Sequence, residues 1–182
     1  NPVNTFQYKY EGNWINFNKI RDTIKVKGQA DEIVDLLFSV HGPVTYLNTE
    51  KRVACGIRAA WLQKGGAPYL ASLRMDQARN WDEFRTACSY SFVPGENMVW
   101  ADRQGNIGWQ VVGIAPVRNK FSGMVPVPGD GRYEWDSILP ILKRPWSLNP
   151  KEGFIATANA NSTGSDYPHM NSISFSWSDS FR

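Results

Sequence analysis

Along the first sixty residues, apolar and polar positions alternate, which is the pattern of β-strands with one face in solvent. Residues 6–10 and 14–17 flank the turn-forming residues 11–13 and therefore predict a β-hairpin. The same alternation predicts further strands, separated by a bend at residues 41–44 and a turn at residues 48–51. These strands cover residues 22–27, 33–40, 44–47 and 53–61.

Helical periodicity replaces this alternation after the Gly- and Pro-containing residues 65–68. Asn80 followed by Glu83 has the form of a helix N-cap with a carboxylate that reaches back over the first turn. The sequence therefore predicts a helix near residues 81–91, with a shorter helix possible before it. The apolar positions that repeat at helical spacing are Leu70, Leu73, Ala78, Trp81, Phe84, Ala87 and Cys88.

The period of two returns after Pro94-Gly95. Residues 98–101 and 107–112 flank a five-residue loop of turn formers and predict a second hairpin. Residues 114–149 are rich in Pro and Gly, which predicts an irregular surface excursion held by a few apolar anchors. The simplest fold is a single α+β unit over residues 1–182, predominantly antiparallel β with one or two helices.

Composition excludes several classes of protein. Of the 182 residues, 42% are hydrophobic and 20% charged, which suits a folded domain and argues against disorder. The 20 basic and 17 acidic residues are interspersed, so we expect no nucleic-acid partner, and no apolar run is long enough to predict a membrane span. Cys55 and Cys88 lie far apart without metal-ligand spacing, which leaves one disulfide or two buried thiols, and we favour buried thiols.

Six sequence landmarks occur in an order that resembles the β-subunit of the penicillin acylase family, within the N-terminal nucleophile hydrolases. Each landmark alone is weak, but their order and spacing along the whole chain are specific. They are residues 40–44 (VHGPV), 58–61 (RAAW), 80–84 (NWDEF), 100–108 (WADRQGNIG), 126–136 (PVPGDG with Trp135-Asp136) and 149–161 (NPKEGFIATANAN).

This resemblance implies an αββα sandwich made of two chains cut from one precursor, and hydrolysis of linear non-peptide amides. The implied nucleophile is a Ser at a new N-terminus, whose α-amino group is the base. This chain begins at Asn1, so it is expected to be an internal piece of the β-subunit and inactive alone. Its expected partners are the α-subunit, the rest of the β-subunit and a small acyl amide. The expected location is periplasmic or secreted, and the acyl-chain preference stays open.

The resemblance also assigns site residues. Asn159 matches the Asn whose side-chain amide holds the tetrahedral oxyanion, although a slip of two residues would move this role to Asn161. Arg182 matches an Arg that the family places close to the nucleophile. No cofactor is required for the chemistry, but a structural calcium is expected in the intact enzyme, with Asn171 at the position of one ligand. His41, followed by Gly-Pro, is interpreted as part of a bend and not as a base.

A different class of function also fits the residues. The chain is rich in aromatic residues, and alternating strands with exposed rings would form a carbohydrate-binding or other ligand-binding sheet without catalysis. The rings that could stack on such a ligand are Trp100, Trp109, Trp135 and Trp146.

Overall fold

The computed structural model describes residues 1–67, 69–158, 163 and 166–169. Contacts divide the chain into two compact units, one made of residues 1–62 and 125–134, the other of residues 63–124 and 135–182. Each unit is discontinuous in sequence, so no local composition shift marks the division. That the chain folds as one unit stays a prediction.

The first unit contains the predicted hairpin and a four-stranded antiparallel sheet with strand order β3-β4-β5-β6. In the hairpin, Tyr8 stacks on Phe17 with ring centroids 4.7 Å apart, and Phe17 is among the few buried apolar residues of this unit. The strands are β1 Gln7–Tyr10, β2 Asn13–Asn16, β3 Asn18–Ile24, β4 Glu32–Ser39, β5 Gly42–Asn48 and β6 Val53–Gly56.

Three predicted boundaries in this unit are wrong. The strand predicted at 22–27 begins earlier, at Asn18, because it pairs along its whole length with β4. The predicted bend at 41–44 is tighter, since β5 already begins at Gly42, whose φ of 128° turns the chain. The strand predicted to run to residue 61 ends at Gly56, and a 3-10 turn follows at Ala60–Leu62.

The second unit contains two helices, α1 Leu70–Met75 and α2 Trp81–Cys88, and a three-stranded antiparallel sheet with strand order β11-β8-β7. A two-stranded pair, β9 with β10, completes it. The strands are β7 Asn97–Ala101, β8 Ile107–Val111, β9 Ala115–Val117, β10 Ser137–Leu139 and β11 Trp146–Leu148.

The prediction of a helix that begins at residue 81 is confirmed, but the helix ends at Cys88 and not near residue 91, and its cap differs in one contact. The Asn80 side chain accepts a hydrogen bond from the Glu83 N–H at 2.9 Å, as an N-cap does. The Glu83 carboxylate reaches back one residue further than predicted, to the N–H and guanidinium of Arg79. Since Arg79 offers three N–H donors there, it outcompetes the single N–H of Asn80.

The prediction that residues 114–149 are irregular is wrong in part. The segment contributes β9, β10, β11 and a 3-10 turn at Ile141–Lys143, and it places β11 beside β8. These strands have three residues each, which is too short for the alternation of side chains to be recognised in sequence.

The core of the second unit lies between α1, α2 and the three-stranded sheet. Phe84 of α2 packs its ring against Trp81 and Trp100, at centroid distances of 5.7 and 5.3 Å. The buried residues of this cluster are Ala71, Met75, Phe84, Ala87, Cys88, Val112 and Ile141. Cys88 is therefore a buried thiol as predicted, whereas Cys55 is exposed, and both cysteines are free.

Of the tryptophans proposed for ligand stacking, Trp109 and Trp100 are engaged inside the second unit, whereas Trp146 is 49% exposed. Trp109 is buried and its indole N–H donates to Asn97, while Trp100 packs on Phe84. The guanidinium of Arg85 lies 4.4 Å from the centre of the Trp146 ring. Nothing in this arrangement favours the alternative of a ligand-stacking sheet. Within the described part of the chain, no helix has the length and apolar character needed to cross a membrane.

Candidate functional site

Asn159, Asn161, Asn171 and Arg182 lie outside the described residues, so their assigned roles stay predictions. The structure does describe the segment that leads to Asn159, from the end of β11 to Ala158, and the return of the chain at residues 166–169. The described parts of the candidate site are therefore residues 149–158 and 166–169, on either side of the predicted oxyanion donor.

Asn149 stands where β11 ends and the chain leaves the sheet. Its backbone N–H donates to the Ile107 carbonyl at 2.8 Å, and its side-chain Oδ1 accepts from the Ile107 N–H at 2.9 Å. The backbone of Asn149 has a φ of 49°, in the left-handed region that Asn tolerates better than most residues. Asn149 thus ends β11 and still provides a hydrogen-bond partner for both the N–H and the carbonyl of Ile107 on β8.

The side chain of Asn149 is itself held by the loop between β7 and β8. Its Nδ2 donates to Asn106 Oδ1 at 2.8 Å, and Asn106 Nδ2 donates to Asp102 Oδ2 at 2.7 Å. The Asn106 amide, together with the N–H groups of Asn106 and Gln104, lowers the pKa of Asp102 below its ordinary value of 3.8. An ionised Asp102 can only accept, so it determines which way both amides point.

Residues 154–158 run outward from this anchor without belonging to a helix or a sheet. Ile155 and Thr157 are half-buried, whereas Phe154, Ala156 and Ala158 are exposed, which is the alternation of a strand with one covered face. Among the described residues, no backbone hydrogen bond joins this stretch to another part of the chain.

Tyr167 holds the chain where it returns. Its hydroxyl donates to the carbonyl of Lys143, the residue before the half-buried Arg144, at 3.1 Å. Arg144 donates to the carbonyls of Val112 and Gly113, and burial lowers its pKa to about 10. These contacts tie the return of the segment to the same unit that anchors its start.

His41 takes part in an ion-pair cluster of the first unit. Its Nε2 lies 2.6 Å from Glu134 Oε1, the other oxygen of that carboxylate accepts from Arg58, and the Tyr10 ring meets the imidazole edge-on. Three of the sequence landmarks, around residues 41, 58 and 126–136, therefore meet at one carboxylate. The arrangement supports the interpretation of His41 as a structural residue.

A cavity of about 310 Å³ lies in the first unit, between the β1–β2 hairpin and the turn that joins β5 to β6. Its walls include the Tyr8, Trp14 and Phe17 rings and the cationic side chains of Lys9 and Arg52. None of the residues that line this cavity is among those that the family resemblance assigns to the reaction.

Within the part of the chain that the structure describes, no group of three or more His, Cys, Asp or Glu side chains could hold a metal ion. Ca²⁺ needs six to eight oxygen ligands. The calcium site expected from the family resemblance therefore stays a prediction that concerns Asn171 and residues outside this chain.

Sequence reasoning missed the anchoring roles of Asn106, Asn149, Arg144 and Tyr167. Asn149 precedes Pro150, and an Asn-Pro pair after a short apolar run is a signal of a turn that ends a strand. That signal could have located the anchor, but its partner Ile107 is 42 residues away and is shown only by the folded chain.

Comparisons with known proteins agree over nearly the whole chain. Penicillin G acylase of Escherichia coli is 32% identical over 171 residues, which are 93% of this chain and 20% of that protein. The acyl-homoserine lactone acylase QuiP of Pseudomonas fluorescens is 32% identical over 181 residues, 96% of this chain and 22% of that protein. The penicillin acylase 2 proenzyme of Pseudomonas sp. (strain SE83) is 30% identical over 149 residues, 81% of this chain and 19% of that protein.

The chain spans about a fifth of the length of these curated relatives. Among solved structures, the thermostable penicillin G acylase from Alcaligenes faecalis matches with a TM-score of 0.82 and 29% identity, over 97% of this chain and 32% of that one. The predicted fold class, an α+β part of the N-terminal nucleophile hydrolase fold, is confirmed. A model of the penicillin amidase family matches residues 1–182, and the chain belongs to that family.

Proposed function

We propose that this chain is part of an acylase that hydrolyses linear amides and thereby removes N-acyl groups, with Asn159 as a donor to the oxyanion. The observation that carries the proposal is the segment from Asn149 to Ala158, which is anchored to the sheet at its start and leads directly into Asn159. The relatives named as penicillin and acyl-homoserine lactone acylases support this class of reaction.

The proposed chemistry divides between this chain and the rest of the protein. A Ser at the N-terminus of another segment attacks the amide carbon, and its α-amino group, with an ordinary pKa of about 7.7–8, accepts the hydroxyl proton. The side-chain NH2 of Asn159 and one backbone N–H donate to the oxygen as it becomes negative. The proton then passes to the leaving amine, and water hydrolyses the acyl-enzyme through the same donors. Arg182 adds a fixed positive charge near the reacting atoms.

We propose the remaining parts of the same precursor as partners, and the name proenzyme of one relative supports this. One face of the β3–β4 pair is a candidate contact surface for these partners, because several of its apolar side chains are exposed. Ile20 and Leu36, which lie opposite each other, are 48% and 42% exposed. We call this surface the apolar sheet face; its apolar residues are Ile20, Ile24, Val34, Leu36 and Phe38, and Asn18, Asp22 and Glu32 lie among them.

Three further features are proposals from the family. Its substrates are small acyl amides, with the acyl group of a β-lactam or of a homoserine lactone as the two candidates that the relatives' names suggest. A structural calcium is proposed in the intact enzyme, with Asn171 as one ligand. The proposed location is periplasmic or secreted.

The full-length protein that contains this chain tests the proposal with chromogenic phenylacetyl, glutaryl and long-chain acyl anilides. Asn159→Ala is expected to lower kcat about 10²- to 10³-fold, because one oxyanion donor is removed. Asn161→Ala is the matched control and should retain activity. A loss in Asn161→Ala alone would move the role by two residues, and an unaffected Asn159→Ala would overturn it. The isolated chain of 182 residues should show no turnover.

A further inference from the structure

The cavity of about 310 Å³ in the first unit is lined by aromatic rings that the fold already holds in place. Tyr8 stacks on Phe17 with ring centroids 4.7 Å apart, and the Tyr8 hydroxyl accepts from the Val40 N–H at 2.9 Å. Rings that are fixed in this way need no rearrangement to receive a ligand, and small-molecule sites are usually preformed in the same manner. The volume lies at the lower end of the range of about 300–1,000 Å³ that such sites occupy.

Three apolar side chains that line the cavity are only partly covered. Trp14 is 47% exposed, Leu47 42% and Val53 46%. Trp14 belongs to β2, whereas Leu47 and Val53 belong to β5 and β6. Apolar surface from separate elements around one concave volume is the usual lining of a small-molecule site, because a ligand that displaces water from these side chains gains free energy.

Two cationic residues line the same cavity. Lys9 lies directly opposite Trp14 in the β1–β2 hairpin, so their side chains share one face of it. Arg52 lies in the turn between β5 and β6. Neither cationic group has a hydrogen bond or an ion pair with another described residue, and none of the described residues that line the cavity is Asp or Glu. Within this part of the chain, the cavity therefore carries two positive charges without a negative partner.

The backbone of Arg52 supports a role for its side chain. Its φ of 54° lies in the left-handed region, which a residue with a Cβ enters at a cost in free energy. Gly or Asn would form the same turn more easily. Where a long cationic residue holds such a backbone beside a cavity, its side chain is a candidate for ligand binding.

The chemistry of the lining selects one class of ligand. A carboxylate can accept from a guanidinium and from an ammonium group, and a flat ring can pack on Trp14 and Phe17. A neutral apolar molecule would leave both cations without a partner, and a small inorganic anion would leave the apolar side chains in water. The volume limits the ligand to about one ring with a short acidic side chain.

We propose that this cavity is a binding site for a small aromatic carboxylate, with Lys9 and Arg52 contacting the carboxylate and Trp14 and Phe17 contacting the ring. The proposal depends only on described residues of the first unit and does not rest on the proposed reaction. Asn1 and Pro2 also line the cavity, so the test uses the full-length protein that contains this chain.

Acetylation of Lys9 tests the proposal at the cavity itself. The full-length protein receives a short pulse of acetic anhydride at constant ionic strength, with benzoate as the probe, and peptide mass spectrometry measures acetylation of single lysines. A carboxylate paired with the Lys9 ammonium group should slow its acetylation. Lys51 is exposed, precedes Arg52 and does not line the cavity, so its acetylation should not change.

Two further probes separate the contributions of charge and ring. Benzyl alcohol has the ring without the charge, and acetate has the charge without the ring. Each should protect Lys9 only at concentrations about 10-fold higher than benzoate, because each makes only part of the contacts.

Substitutions in the lining should raise the benzoate concentration that half-protects Lys9. Arg52→Asn removes the charge with a residue that tolerates positive φ, and it should raise this concentration about 10-fold. Trp14→Leu keeps an apolar side chain without the ring and should raise it about 3-fold. Lys51→Asn is the matched control, because it removes a neighbouring charge outside the cavity, and it should behave as the wild type. Either lining variant decides the matter if the other does not fold.

Several outcomes would overturn the proposal. They are an unchanged rate of Lys9 acetylation with benzoate, equal protection by benzyl alcohol or acetate, equal slowing at Lys51, and identical behaviour of Arg52→Asn and Lys51→Asn. A Lys9 that is not acetylated even without benzoate would show that the cavity is covered in the intact protein, which also excludes the site. Loss of the proposed acylase activity would leave this inference standing, because no residue assigned to the reaction enters it.

Discussion

At the scale of single residues, polar side chains complete hydrogen bonds where regular structure stops. Asn80 caps α2, and Asp102 closes the β7–β8 loop by accepting from two backbone N–H groups. At the end of β11, the side chain of Asn149 accepts the hydrogen bond of the Ile107 N–H. A backbone N–H left without a partner costs about 1–3 kcal/mol when buried. These side chains therefore determine where each element ends and which way the chain continues.

The contribution of Asp102 to stability depends on pH, with a sign that follows from its lowered pKa. Its stabilisation is complete above the unfolded-state pKa and is lost as pH falls through the lower folded-state pKa. The melting temperature of the wild type should therefore fall more steeply below about pH 4 than that of Asp102→Asn. Parallel melting curves for the two proteins across this range would contradict the assignment.

The two cysteines should differ sharply in reactivity. Cys55 is exposed, whereas Cys88 is buried, and burial raises the pKa of the Cys88 thiol to about 12. Because the thiolate is the reactive form, iodoacetamide at about pH 8 should modify Cys55 in the native isolated chain and leave Cys88 unmodified until urea is added. Peptide mass spectrometry after a short pulse measures both sites, and rapid native labelling of Cys88 would argue against the described core.

At the scale of elements, α2 is held by its cap and by one aromatic face. Phe84 and Trp81 place their rings on the three-stranded sheet, and Cys88 and Ala87 fill the space behind them. Arg85 extends from the same helix to Gln110 and to the Leu142 carbonyl, so the helix also fixes the 3-10 turn beneath Arg144. The anchors of the candidate site thus depend on this packing.

Phe84→Ala should be among the most destabilising single changes in the second unit. The side chain is 5% exposed, and its removal leaves a cavity between Trp81 and Trp100. We expect a loss of about 3–5 kcal/mol in the free energy of unfolding. Thr86→Ala on the exposed side of the same helix is the control, with a change close to zero, and urea unfolding followed by tryptophan fluorescence compares them. Equal midpoints for the two variants would contradict the packing.

At the scale of the whole molecule, the first unit has little core of its own. Phe17 and Ala59 are its buried apolar residues among those described, while the apolar sheet face lies open. The opposite face of β3 and β4 carries the Lys19–Asp35–Arg21 ion pairs together with Leu37 and Ile33, of which Ile33 is 66% exposed. Apolar side chains are thus exposed on both faces of this sheet, and those of the apolar sheet face are the more numerous, which fits a chain that spans a fifth of its relatives.

A charge on the apolar sheet face should show whether this face is covered in the intact protein or stays in solvent. Ile20→Glu in the full-length protein is expected to lower the melting temperature and the yield of assembled protein in size-exclusion chromatography, because burial of an Ile contributes about 1.5–3 kcal/mol and a carboxylate there would lose its water. Thr23→Glu lies on the opposite face of the same strand and should assemble normally. Normal assembly of both variants would show that the face stays open in the intact protein.

Interactions between neighbours in sequence made part of this structure predictable. The first hairpin, the capped helix at residues 81–88 and the loop at 102–106 each depend on residues within a few positions of one another, so their patterns are complete in the sequence. The family landmarks likewise located Asn159 and Arg182, whose roles stay predictions. Short strands and the exact ends of elements were less predictable, because pairing partners extend or shorten them.

The amino-acid sequence by itself determined the local elements, the antiparallel class of the fold and the resemblance to one family, since each depends on the type and spacing of nearby side chains. Only the tertiary structure decided that Glu134 joins His41 to Arg58, that β11 pairs with β8, and that the Asn149 side chain accepts from the Ile107 N–H. The physical reason is distance along the chain. Hydrogen bonds of about 3 Å between residues tens of positions apart form only when the intervening chain has folded, and local periodicity carries no record of them.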